Sequence, residues 1–292
     1  MQPGDDVAVG TVGVRHPERE LAWVENAPSS GWFPRLDARE LWRERELALV
    51  LALKDLKVRY KQTFFGVAWA VLQPLVAVVI FSLLLGRAAG LPSGGIPYPV
   101  FSYTGLVVWL YFSAATSAAA QSLVDNRELV TKVYFPRLLA PLAAMLPGLV
   151  DVAVSLPIIG IFLAVWSVAP SYQLLLLPAW VVAALLTALG VGLLLAALNV
   201  RYRDVRYLLP FLLQVWFFAS PIVYTGSVVS GGWRYLYAVN PMVTTVTGFR
   251  WSIAGGRPPG LEALVSLAIV CALLVVGFVY FRRVERSFAD AI

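Results

Sequence analysis

The sequence predicts an all-α integral membrane protein: six transmembrane helices, a cytoplasmic amphipathic interface helix before them, and short re-entrant helices between the fifth and sixth spans. Of the 292 residues, 59% are hydrophobic and only 14% are charged, whereas about 25% of a typical soluble domain is charged. The mean hydropathy of +0.75 is too high for a surface that faces water. Several uncharged runs reach the roughly 20 residues that a helix needs to cross the hydrocarbon core.

Two segments precede the first span. Residues 1–35 are polar and rich in Pro and Gly, which predicts a flexible cytoplasmic tail. Residues 36–61 carry opposite charges at helical spacings, and Lys54, Lys57 and Lys61 recur three and four residues apart on one face. Because this pattern leads directly into an apolar run, it predicts a helix lying in the cytoplasmic interface. An ordinary solvated helix is the alternative.

Six apolar segments follow as candidate spans. Asp151 is an acid inside the third, and the fifth is interrupted by prolines. The six segments are 64–85, 100–123, 138–169, 172–198, 208–224 and 263–281. Residues 225–262 are rich in Gly and Pro, and their apolar stretches are too short to span. This composition predicts half-helices that enter the membrane and return.

The distribution of basic residues sets the orientation. Of the 23 Lys and Arg, all but Arg87, Arg234, Arg250 and Arg257 fall in the N-terminal segments, the loops at 124–137 and 199–207, or the C-terminus. Lys and Arg concentrate on the cytoplasmic side of a membrane, so both termini are predicted to be cytoplasmic. The transmembrane domain then covers 62–285, and 286–292 form the cytoplasmic C-terminus. The net charge of +6 is thus attributed to membrane topology and not to nucleic acid binding.

The residue sets on which most catalytic sites depend are missing. His16, the single histidine, lies in the tail, and no His, Cys and carboxylate residues have the spacing of a metal site. None of the lysines follows a glycine in the phosphate-binding pattern GxxxxGK[S/T]. We therefore do not predict an enzyme. If ATP drives transport, another chain must bind the nucleotide.

Two features inside the spans have both a functional and a structural interpretation. Asp151 is either a residue on a transport pathway or a satisfied polar contact. The cluster of Trp216, Phe217, Phe218 and Tyr224 is denser than an interfacial aromatic belt requires. Its ring faces would give sugars a contact that does not fix their sequence.

Four long segments of the chain carry a recognisable pattern: LKDLKVRYKQTFFGVAWAVLQPL at 53–75, ELVTKVYFPRLLAPLAA at 128–144, ALNVRYRDVRYLLPFLLQVWFFASPIVY at 197–224 and NPMVTTVTGFRW at 240–251. They resemble the membrane subunits of polysaccharide ABC exporters, in particular the O-antigen type within the type-2 ABC export permeases. Their length and their order along the chain make the resemblance specific. It covers about 40–285, which leaves out the tail.

The resemblance implies one subunit of an ATP-driven exporter in a bacterial plasma membrane. The cargo would be an undecaprenyl-lipid-linked polysaccharide, O-antigen or a related cell-wall glycan, moved from the cytoplasmic side through a channel at a homodimer interface. Two copies of a separate cytoplasmic ATPase would bind ATP and Mg, and this chain would need no cofactor. An ABC exporter of a small lipid or drug is the main alternative. An ion-coupled carrier that requires Asp151 and a membrane enzyme making lipid-linked sugar are the others.

The resemblance also assigns roles to single residues. The family's coupling helix matches about 125–135, and the residues expected to contact the ATPase are Asp125, Arg127, Glu128, Leu129 and Lys132. The family's lateral opening lies between the first and fifth spans, and the residues expected to line the glycan channel are Trp69, Gln73, Trp216, Phe217, Phe218 and Tyr224. Basic residues near the low-dielectric boundary attract phosphate more strongly than in bulk water. Those expected to bind the lipid phosphate are Lys57, Arg59, Lys61, Arg201 and Arg203.

Overall fold

A computed structural model describes residues 42–61, 68–132, 135–226, 229, 231–285 and 288. All regular secondary structure in these ranges is helical, as the sequence predicts. The tail at 1–35, the first residues of the predicted interface helix (36–41), the start of the first span (62–67) and the C-terminus apart from Phe288 lie outside the described residues.

The described helices follow one another with short connections. They are α1 Arg45–Lys61, α2 Ala68–Phe81, α3 Tyr98–Asp125, α4 Arg127–Lys132, α5 Leu139–Met145, α6 Pro147–Val165, α7 Leu177–Arg201, α8 Val205–Phe218, α9 Trp233–Tyr237, α10 Pro241–Ala254 and α11 Glu262–Val284. A π-helical segment, Ser82–Ala88, extends α2, and a 3₁₀ turn, Tyr172–Leu176, leads into α7.

Within the described residues, five helical segments are long and apolar enough to cross a bilayer. They are Val71–Ala88, Tyr98–Asp125, Leu139–Val165, Tyr172–Arg201 and Glu262–Val284. They match five of the six predicted spans. The remaining one, 208–224, corresponds to α8, whose 14 residues rise only about 21 Å. This length is short of the roughly 30 Å of hydrocarbon.

The packing centres on α3, most of whose side chains are buried. It packs most extensively against α7 and also contacts α2, α5, α6, α8 and α10. The next largest contact joins α7 to α11. Glycines let these two backbones approach, since a Cβ at Gly190 would lie 2.8 Å from the carbonyl carbon of Leu273. Small residues at such crossings are typical of helices packed within a membrane.

α1 lies against α5 through a narrow apolar strip. Leu51 and Ala52 are buried there with Ala143, and α1 also contacts α6. The lysines at 54, 57 and 61 are exposed. α1 therefore has one packed side and an exposed cationic side.

The segment between α8 and α11 has two unlike parts. α9 is mostly exposed, whereas α10 is buried between α3, α7 and α11. The side chain of Asn240 caps α10 by accepting a hydrogen bond from Met242 N at 3.0 Å. The α10 hydroxyl of Thr244 lies 2.7 Å from Ser266 Oγ on α11. α10 is thus held on several sides, although its 14 residues are too few to cross a membrane.

Candidate functional site

A cavity of about 440 Å³ lies among α1, α2, α3, α6 and α8. Most of its lining is apolar and includes the rings of Trp109 and Phe217. Polar side chains from four helices also line it: Gln73, Ser113, Ser117, Asp151, Ser155 and Gln214. A concave, mainly apolar space with a few polar groups is the usual form of a small-molecule site.

An ion pair joins α1 to α6 at this cavity. Arg59 Nη2 lies 2.6 Å from Asp151 Oδ2, and the hydroxyl of Tyr60 donates a hydrogen bond to Asp151 Oδ1. Burial, followed by the hydrogen bond and charge of Asp151, raises the pKa of Tyr60 to about 12. The phenol therefore stays protonated and donating at neutral pH. Both Arg59 and Asp151 line the cavity.

Tyr111 adds a polar atom that has no partner among the described residues. Its side chain is only 2% exposed, it lines the cavity, and its hydroxyl makes no hydrogen bond to the described part of the chain. The ring rests on Gly148, where a Cβ would lie 3.0 Å from Tyr111 Cδ2. Gly148 precedes Asp151 by three residues, so the two positions share a face of α6.

The structure divides the predicted phosphate-binding residues into two groups. Lys57, Arg59 and Lys61 lie in the last two turns of α1, all exposed, and Arg59 reaches the cavity. Arg201 and Arg203 are exposed at the end of α7 and in the turn after it. The guanidinium of Arg201 stacks on the ring of Tyr202, with 5.4 Å between the guanidinium carbon and the ring centroid.

The predicted channel residues are also divided. Gln73 and Phe217 line the cavity, whereas Trp69 and Phe218 are 55% and 62% exposed. The other two take part in hydrogen bonds: Trp216 Nε1 donates to Asn240 Oδ1 at 2.7 Å, and the hydroxyl of Tyr224 lies 2.8 Å from that of Tyr237.

The predicted coupling residues lie at the junction of α3 and α4. Leu129 is half-buried, and Asp125, Arg127, Glu128 and Lys132 are exposed. Glu128 and Lys132 pair at 3.5 Å along α4.

Two further contacts tie this junction to neighbouring helices. Asp125 pairs with Arg206 of α8 at 3.5 Å. The next residue, Asn126, accepts a hydrogen bond from Lys54 of α1 at 2.6 Å.

Arg250 is a buried cation to which the sequence analysis gave no role. It is 6% exposed and donates to the carbonyls of Phe101 at 3.2 Å and of Pro221 and Ile222 at 3.1 Å. Its guanidinium carbon lies 3.6 Å from the centroid of the Phe101 ring. One signal was available in the sequence, because Arg250 is among the few cations outside the predicted cytoplasmic segments.

No cluster of His, Cys, Asp and Glu suited to a metal ion occurs in the described part of the chain. The candidate site is an apolar cavity whose lining includes the ion pair of Arg59 and Asp151, further amide and hydroxyl side chains, and the buried Tyr111 hydroxyl, which has no partner among the described residues. Such a lining suits a ligand that combines an anionic group with hydroxyls and an apolar part.

Comparisons with known proteins identify the family of this chain. The family model described as ABC-2 type transporter matches residues 46–254. An O-antigen export system permease protein of Myxococcus xanthus is 31% identical, over 87% of this chain and 98% of the relative. One of Klebsiella pneumoniae is 26% identical over 84% and 94%. A polysialic acid transport protein of Escherichia coli is 27% identical over 81% and 93%. The chain therefore belongs to the ABC-2 type transporter family.

Proposed function

We propose that this chain is the membrane subunit of an ATP-driven exporter that moves an undecaprenyl-lipid-linked polysaccharide, O-antigen or a related glycan, out of the cytoplasm. Relatives matched over nearly their whole length are named for O-antigen export and polysialic acid transport. In this proposal two copies of the chain form a channel in a bacterial plasma membrane. Two copies of a separate ATPase bind ATP and Mg.

The proposed topology has six spans with both termini in the cytoplasm. α8 would be the fifth span, shortened because the chain turns at Ser220 and Pro221 before crossing fully. α9 and α10 would be the re-entrant helices on the exported side, and α1 the interface helix. Burial of α10 among three helices supports this placement, because short helices are tolerated at membrane depth only where protein shields their ends.

The observation that carries the proposal is the cavity with Arg59 at its edge. A lipid phosphate needs a cation near the cytoplasmic face, and the last turns of α1 present Lys57, Arg59 and Lys61 there. Arg201 and Arg203 would add to the same positive field. The mixed aromatic and amide lining at Gln73, Gln214 and Phe217 suits the first sugars, whose apolar ring faces and hydroxyls need both kinds of contact.

The proposed contact with the ATPase is α4. Its Val130 is buried, whereas Arg127, Glu128 and Lys132 are exposed. A short helix with a buried apolar side and an exposed charged side suits docking to a cytoplasmic partner. Conformational change in the ATPase on binding ATP would then reach the spans through α3.

The alternative is an exporter of a small lipid or drug. The cavity volume favours it, since about 440 Å³ is within the range of sites for single small molecules. A polysaccharide needs this space to continue into a channel formed with a second copy.

The first experiment depletes this protein in its own cell and measures lipid-linked glycan inside and polysaccharide at the surface. We expect a lipid-linked polymer to accumulate in the cytoplasmic leaflet as surface polysaccharide disappears. Normal amounts of both, in a strain without a second exporter, would refute the glycan assignment and favour the small-molecule alternative.

Complementation of the depleted strain then tests the cationic turns of α1. We expect Lys57→Ala, Arg59→Ala and Lys61→Ala together to lower surface polysaccharide at least tenfold while the protein stays dimeric. Arg257→Ala, which removes an exposed cation on the opposite side, is the control. Full export by the triple variant would exclude the phosphate role of these residues.

A further inference from the structure

Asp151 is unlike the other acidic residues of the spans. Within the five long apolar segments, which the structure describes in full, every other Asp or Glu stands at a segment end. A carboxylate inside a span is expensive unless it is paired, and such residues mark functional positions more often than structural ones. The partner of Asp151 is therefore informative.

That partner comes from the cationic end of α1. Oδ2 of Asp151 contacts Arg59 at 2.6 Å, and Oδ1 accepts the hydrogen bond of Tyr60. The Arg59 side chain remains 42% exposed, whereas that of Asp151 is 19% exposed. The guanidinium thus contacts the carboxylate of Asp151 while a substantial part of the Arg59 side chain stays exposed.

Tyr111 supplies a second, independent observation in the same cavity. Its buried hydroxyl has no hydrogen-bond partner among the described residues, and its ring packs one turn of α6 before Asp151. Buried hydroxyls are nearly always hydrogen-bonded, and an exception calls for an explanation. A ligand that brings an acceptor atom into the cavity would give this hydroxyl a hydrogen-bond partner.

We infer that the corner formed by Arg59, Asp151 and Tyr111 is a phosphate subsite in which Asp151 takes the place of the ligand's phosphate while the site is empty. The inference rests on the proposed function and adds two residues to it. On arrival of a polyprenyl-type phosphate, Arg59 exchanges the carboxylate for phosphate oxygens. The Tyr111 hydroxyl donates a hydrogen bond to another phosphate oxygen.

The exchange leaves each of these groups with a partner. A guanidinium binds two phosphate oxygens in parallel, a geometry as favourable as its pairing with a carboxylate. Asp151 keeps the hydrogen bond from Tyr60, so its charge is not stranded. Repulsion between carboxylate and phosphate then pushes Asp151 away from Arg59. The pair between α1 and α6 is broken only when substrate is present.

Binding to the full-length chain, purified with its ATPase in phosphatidylcholine nanodiscs, tests the inference. The probe is farnesyl phosphate, with farnesol as the phosphate-free comparison. Because Asp151 competes for Arg59, Asp151→Asn should tighten probe binding about three- to tenfold. Tyr111→Phe should weaken it by a similar factor, and Arg59→Gln by at least tenfold. Asp204→Asn, which removes an exposed carboxylate near the α8 start, should change nothing.

The double variant Asp151→Asn with Arg59→Gln separates competition from simple packing. If Asp151 acts through Arg59, the double variant binds like Arg59→Gln alone. If Asp151 only holds α1 against α6, then Asp151→Asn gives equal or weaker binding, and the inference is overturned while the phosphate role of Arg59 stands. Unchanged binding by Arg59→Gln would instead defeat the proposed phosphate site itself.

Competing anions identify the natural source of the phosphate. Inorganic phosphate or phosphatidylglycerol that displaces the probe at equal concentration would overturn a polyprenyl-specific subsite. Displacement by polyprenyl phosphates alone supports it.

Discussion

Replacement of Arg250 is the sharpest test of how α10 is held against α3 and the turn after α8. Its guanidinium donates to Phe101, Pro221 and Ile222, and so joins α10 to α3 and to the turn after α8. The carbonyl of Phe101 belongs to a helix. Those of Pro221 and Ile222 lie in an irregular turn and depend on this side chain.

Arg250→Met would leave these two turn carbonyls buried without their donor. Each such loss costs about 1–3 kcal/mol, and the variant no longer has to desolvate a charge, which offsets part of the loss. We expect a net destabilisation of about 2–4 kcal/mol, which corresponds to a fall of roughly 5–15 °C in the apparent Tm. The apparent Tm of Arg250→Lys should lie between those of wild type and Arg250→Met, because an ammonium group lacks the planar donor geometry of a guanidinium.

The assay is thermal unfolding in detergent, followed by the fraction of protein that still elutes as a single species. Arg257→Met, an exposed cation in the following loop, is the matched control. Gly105→Ala should disturb the same hydrogen bonds, because its Cβ would lie 2.6 Å from Arg250 Nη2. If both Arg250→Met and Gly105→Ala melt within about 2 °C of wild type, the argument from the turn carbonyls is wrong.

Three further substitutions test other contacts, each by thermal unfolding beside wild type. Gly277→Ala should cost about 1–3 kcal/mol of stability, because its Cβ would meet the carbonyl of Gly190. Gly160→Ala is the control, because a Cβ there has no heavy atom within 4 Å. Equal stability of the two variants would contradict the close crossing of α7 and α11. Tyr60→Phe should cost about 1–2 kcal/mol. The pKa of Tyr60 is about 12 in the folded protein against 10.0 for the free side chain. The extra stability of wild type over Tyr60→Phe should therefore be constant below pH 10.0 and vanish as pH rises through about 12. Disappearance of this stability difference below pH 9 would refute the reasoning. Trp216→Phe should cost about 1 kcal/mol for the lost hydrogen bond and keep surface polysaccharide, since the ring remains; a folded variant without export would assign the indole N–H to the cargo.

Helix positions in this chain follow closely from hydropathy and length. Uncharged runs near 20 residues left few choices for five segments, because a helix of this length satisfies its own backbone hydrogen bonds in lipid. The exception is the fifth prediction, 208–224, where the helix ends at Phe218. Apolar composition continues past that point, but Ser220 and Pro221 form a turn, and composition alone does not register a turn.

The site was less accessible to sequence reasoning. The motif around Arg59 pointed to the end of α1 that borders the cavity. Asp151 kept two interpretations because its partners are about 90 residues away in sequence, with Tyr60 separated by 91. Tyr111 carried no signal, since a tyrosine in an apolar helix resembles a packing residue. What distinguishes Tyr111 is that its buried hydroxyl has no hydrogen-bond partner among the described residues. This follows only from the positions of all its neighbours in the fold.

The unequal packing of the helices gives the cavity walls of different stiffness. α3 is mostly buried, and α6 packs on it, whereas α2 and α8 bury few side chains. Regions with few buried contacts open at lower free energy than a packed core. Displacement of α2 or α8 would therefore widen the space with a smaller loss of buried contact than displacement of α3.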